Sequence, residues 1–131
     1  MNGLLPAGRI SLGGFFVLAG VNKITNYAAT EAFMEAGGLP AILLPLVIAL
    51  EVGGGLLVAI ARPARPAVAA ALALAAFTVL TNVVFHRFWE LEGQMAQLEL
   101  SLFFKNLAIA GGLLMVAGVS ADAAASRSAR P

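Results

Sequence analysis

The chain has 131 residues, of which 60% are apolar and only 11% charged, with a net charge of +1. That balance excludes an ordinary water-soluble domain, in which about a quarter of the residues are charged, and the absence of any basic tract excludes a nucleic-acid reader. There is no cysteine, which excludes disulfides and dithiol relays, and His86 is the single histidine, which argues against a self-contained metal site, because such sites gather several ligands.

A helix that crosses the hydrocarbon core needs about 20 mostly apolar residues, and four stretches meet this requirement: 4–22, 40–61, 66–86 and 100–119. In lipid every unpaired backbone group costs several kcal/mol, and four long spans cannot close a barrel. The predicted fold is therefore all-α, a polytopic membrane protein whose residues 1–119 form a four-transmembrane-helix bundle. Arg9 lies inside the first span and Lys23 follows it where a small-residue cleavage site would stand, so the segment reads as a retained span and not as a signal peptide. The connection from Lys23 to Leu39 carries Tyr27, Phe33 and Met34 among Thr, Glu and Ala, a pattern that predicts a short interfacial helix between the first two spans. Arg62, Pro63, Arg65 and Pro66 make a tight turn before the third span, too polar for lipid and too rich in proline for a helix. That span exits through Phe88 and Trp89 into a polar connection holding Glu90, Glu92 and Glu99, with Trp89 placed as an interfacial anchor. Residues 120–131, rich in Ala, Ser and Arg, are expected to form a disordered tail.

Four spans put both termini and the Arg62–Arg65 turn on one side. That side carries Arg9, Arg62, Arg65, Arg127 and Arg130, against Lys23, Arg87 and Lys105 on the other. Only basic residues orient a membrane protein, and this bias predicts that both termini, and with them the tail, are cytoplasmic.

A charge in the middle of a span costs at least about 2.5 kcal/mol, so intramembrane charges face the bundle and take partners. Arg9, Gly13, Phe16, Gly20 and Lys23 recur at spacings of four, three, four and three, one inward stripe whose glycines admit a neighbouring backbone. Thr78, Asn82 and His86 lie four apart on the third span, and Ser101 and Lys105 share a face of the fourth with Asn106 beside them. Glu51 sits mid-span before Gly53, Gly54 and Gly55. Counted at about 1.5 Å per residue, it is some ~9 Å deeper than Arg9 from one side and than Lys105 from the other. A buried ion pair of Glu51 with Arg9, Lys105 or both is expected. Asn22, Glu51, Asn82, His86, Lys105 and Asn106 are the candidate lining of a polar pocket open to the non-cytoplasmic side, with interhelical packing as the alternative role for the same residues.

The segments GRI at 8–10, AGVNKI at 19–24, GGLP at 37–40, EVGGGL at 51–56, FHRFW at 85–89 and FKNLAIAGGLL at 104–114 together resemble the DoxX family of small bacterial membrane proteins. The resemblance covers nearly all of the chain except the tail. It implies residence in the bacterial inner membrane and a four-helix fold related to the DoxD subunit of thiosulfate:quinone oxidoreductase. The family's typical polar positions fall on Arg9, Asn22, Lys23, Glu51, His86, Lys105 and Asn106. On this footing the expected function is a membrane subunit or anchor of a redox system linked to quinone, thiol or sulfur chemistry. Its pocket would take quinone or a small anion, and its partners would be a soluble oxidoreductase and further copies of the chain. No cofactor is expected within the chain itself, so electrons would pass through the quinone or the partner. The alternative is a non-catalytic protein that binds a lipid or small amphiphile, or assists membrane-protein assembly. The alanine-rich start of the third span, a surface that packs readily against other helices, favours it.

Overall fold

A computed structural model describes residues 3–129, which form five main helices, α1 (Leu4–Thr25), α2 (Tyr27–Ala36), α3 (Ala41–Ile60), α4 (Arg65–Phe85) and α5 (Gly93–Ser128), with a short 3-10 turn at Phe88–Glu90 before the last. All but α2 are long and apolar enough to cross a membrane. The long helices pack side by side in chain order, α1 on α3, α3 on α4 and α4 on α5, while α5 returns to α1 with only light contact. The core between them is built from Phe16, Val58, Leu74 and Leu113 with a run of small residues, Ala70, Ala71, Ala75, Ala110 and Ala117. Small side chains let helices approach closely where no hydrophobic effect pushes them together. Leu4, Leu18, Ile42, Ile60, Leu80 and Met115 point outward and are each more than half exposed, as suits side chains that face lipid.

The interfacial helix appears as α2, which leaves α1 through a break at Asn26 and ends at Gly37. Gly38 then turns the chain with φ of 81°, a left-handed conformation open to glycine without strain. α1 and α3 approach closely: a Cβ on Gly55 would lie 2.6 Å from the carbonyl oxygen of Gly13, so both positions need hydrogen as a side chain.

Two features depart from the sequence expectation. Residues 50–54, Leu50-Glu51-Val52-Gly53-Gly54, wind as a π-helical turn within α3, a widening that recurs at functional positions in helices. The last helix begins at Gly93, before the expected 100, and continues to Ser128. Residues 120–128, read from composition as disordered, are thus helical, while the end of the tail, residues 130 and 131, lies outside the described residues. Alanine is the strongest helix former, and extending a helix that is already formed carries no nucleation cost. Ser120 at the start of this extension is buried, and beyond it Ala121, Ala124 and Ala125 line an open groove against Val68 and Ala69 of α4.

Candidate functional site

The buried residues of α1 are Arg9, Gly13, Phe16 and Gly20, the inward face that their spacing gives. One turn further, Lys23 reaches Glu51, its Nζ lying 2.9 Å from each carboxylate oxygen. This overturns the expected pairing of Glu51 with Arg9 or Lys105. At Gly20, where a Cβ would come within 3.3 Å of the Cβ of Glu51, α3 passes so close to α1 that the next inward residue of α1 is the nearest cation. The span boundary read at Asn22 had left Lys23 in the interface, although α1 continues to Thr25. Lys23 thus spans both carboxylate oxygens, donating a hydrogen bond to Oε1 and standing in ionic contact with the buried Oε2.

Arg9 takes a different role. Its Nε donates to the carbonyl of Val58 at 2.8 Å and its Nη2 to Leu57 at 3.4 Å and Ala61 at 2.5 Å. These carbonyls lie at the C-terminal end of α3, where the helix itself leaves carbonyls without partners, although Leu57 also accepts from the backbone N–H of Ala61, and a cation there is also favoured by the helix dipole. Lys105 is exposed on the outer face of α5 and, among the described residues, forms no ion pair. The stripe counted on α5 holds, but the side that carries Lys105 faces away from the bundle.

The remaining polar residues separate into three groups. Asn82, 1% exposed, donates to the carbonyl of Phe103 at 2.9 Å and accepts from Asn106 at 3.2 Å, a clasp between α4 and α5. Asn22 is exposed and accepts from Asn26 at the end of α1. His86 Nδ1 lies 2.7 Å from Glu99 Oε2, tying the end of α4 to the start of α5.

Of the six residues expected to line one pocket, Glu51 and His86 do so. They share a cavity of about 260 Å³ with Lys23 and Thr81, and much of its wall is apolar, with Phe77 and Phe85 from α4 and Val47 from α3. Its remaining wall comes from α2, through Thr30, Phe33 and Met34, and Phe33 stacks on Phe85 at 4.8 Å between ring centres. The expected mouth at Lys105 is not part of it. Lys23 and Thr81 were missed as lining residues, the first because it flanked the span. The signal for Lys23 lay in its place on the Arg9–Gly20 stripe.

Four long apolar helices, with a buried Lys23–Glu51 pair beside a cavity walled by α1 to α4, define the class: an α-helical, multi-pass membrane protein. The DoxX family model matches residues 4–87, and the chain belongs to the DoxX family. The match takes in Arg9, Lys23, Glu51 and His86. The chain is similar to inner membrane protein YqjF of Escherichia coli (strain K12), 44% identical over 115 residues that cover 88% of this chain and 82% of that relative. It is also similar to inner membrane protein YphA of the same organism, 29% identical over 116 residues covering 87% and 81%. No solved structure matches it.

Proposed function

We propose that the chain is an inner-membrane subunit of a redox system that holds a quinone headgroup in the cavity beside Glu51. The observation that carries this reading is the Lys23–Glu51 pair, buried against a cavity whose walls are aromatic and aliphatic. Binding pockets for small ligands combine mostly apolar walls with a few placed polar groups. A quinone presents an apolar ring with oxygen atoms at opposite ends, and the two charged groups complement both of its redox forms. The ammonium of Lys23 can donate to a carbonyl, and the Glu51 carboxylate on the same cavity can accept from a hydroxyl. His86 supplies a third polar group on the same cavity. No residue here carries electrons, so oxidation and reduction belong to a partner oxidoreductase. Residence in the inner membrane follows the two relatives, and the arginine bias supports cytoplasmic termini.

The test is binding of a short-chain ubiquinone analogue, oxidised and reduced, to the purified protein in detergent. Glu51→Gln should weaken the reduced form by about 1.5–3 kcal/mol, the worth of a hydrogen bond to a charged group. His86→Ala should weaken it less, and Lys105→Ala, on the outer face, should leave it unchanged. If neither form binds the parent, the quinone reading fails. Single cysteines at Ser126 and Glu92 should react with impermeant reagents from opposite sides of the membrane, and labelling from one side would overturn the topology.

The second reading, a non-catalytic lipid-binding or assembly protein, draws on the alanine groove between α4 and the extension of α5. It predicts a co-purifying membrane protein and no quinone response.

A further inference from the structure

At the end of the bundle away from the cavity, α1 and α5 meet at Leu12 and Gly112 and then separate. The groove between them has a volume of about 280 Å³, and Leu4, Leu5, Gly8, Met115 and Val119 line it together with one charged group, Arg9. Arg9 is 6% exposed. Its Nε and Nη2 are engaged by backbone carbonyls, whereas among the described residues Nη1 donates to no protein acceptor and no carboxylate pairs with the guanidinium. The carbonyl end of a helix carries about half an elementary negative charge, which leaves part of the cation without a counter-charge. Arg62, Arg65 and Arg127 lie at the same end of the bundle, with Asp122 the one acid near them in sequence.

We propose that this groove binds an anionic phospholipid, with an acyl chain between α1 and α5 and the headgroup phosphate on Nη1 of Arg9. Depth and shape favour a lipid over a free phosphate. The guanidinium reaches Ala61, the first residue after α3, so the cation stands where the span ends and the headgroup region begins. From Leu4 to Leu12 the groove runs about 12 Å down the helix at ~1.5 Å per residue, and Leu4 and Met115, each 75% exposed, form its rim. A free phosphate would gain nothing from these apolar walls. Surplus basic charge at a membrane surface selects anionic over zwitterionic headgroups. The side chain missing at Gly8 keeps the groove open beside Arg9, since a Cβ there meets no atom within 4 Å.

This site is separate from the cavity at Glu51, and its test does not depend on quinone binding. The protein is extracted into micelles holding equal phosphatidylglycerol and phosphatidylcholine, and retained lipid is measured by native mass spectrometry. In parallel the melting temperature is followed as each lipid, or inorganic phosphate, is added. The expected result is selective retention of phosphatidylglycerol, a rise in melting temperature with that lipid and none with inorganic phosphate. Gly8→Leu should reduce retention at least tenfold while leaving the lipid-free melting temperature unchanged, which separates loss of the site from loss of fold. Arg9→Lys, which keeps the charge, should retain the lipid better than Arg9→Gln. Equal retention of the two lipids, full retention by Gly8→Leu, or an equal response to inorganic phosphate would each overturn the proposal.

Discussion

The two ends of the bundle handle a buried charge in opposite ways. At one end Glu51 is met by a single flexible ammonium, and the pair faces a cavity. At the other, Arg9 spreads three hydrogen bonds over the carbonyls of α3 and meets no acid among the described residues. The difference shows that charge alone does not mark a site in a membrane protein. Arg9 completes a helix end, as planar, multi-donor guanidinium groups do well, whereas the Lys23–Glu51 pair stands in the wall of a cavity.

The most severe way to break this comparison is Glu51→Lys. It sets two ammonium groups against each other at a buried site, and removing the partner of a buried charge costs about 3–5 kcal/mol before any repulsion is added. Thermal unfolding in detergent should show a collapse of stability or no folded protein. Arg9→Met should follow, losing about 2–4 kcal/mol as the carbonyls of Val58 and Ala61 go unpaired. The measurement that separates the ends is the same melting curve taken with the reduced ubiquinone analogue, whose stabilising effect should survive Arg9→Met and fall in Glu51→Gln. Asn82→Leu removes the α4–α5 clasp and should cost about 0.6–1.7 kcal/mol, the range for interhelical hydrogen bonds in lipid. At the bottom of the scale, Lys105→Ala should leave the melting temperature unchanged, and a clear loss would mean that the outer face of α5 has a partner.

The four spans, the interfacial helix and the inward face of α1 were legible because apolar length and a 3.6-residue period carry directly into lipid-embedded helices. The partner of Glu51 was not. Counting depth from span boundaries treats helices as parallel rods with known ends, and both assumptions failed at Lys23, where α1 runs on past the expected boundary and a glycine contact draws α3 toward it. Lys105 was misplaced for another reason: periodicity tells which residues share a face but not which way that face turns. The helical tail escaped notice because alanine, serine and arginine in short supply of bulky residues resemble a disordered composition, while the same alanines are strong helix formers once a span precedes them.

The π-helical turn at residues 50–54 has a consequence for register. A turn of this kind is one residue longer than its α-helical counterpart, and at 3.6 residues per turn one residue is worth about 100° of rotation. The stretches of α3 on either side are therefore out of step by roughly that angle, as though a residue had been inserted beside Glu51. Deleting Gly53 should restore an uninterrupted spiral without shortening the span by more than about 1.5 Å, and the two flanking halves would then rotate against each other. Either Glu51 would swing off Lys23 or Val58 would leave the core, so a single missing glycine should cost the cavity or the packing while helix content, measured by circular dichroism, stays as it was.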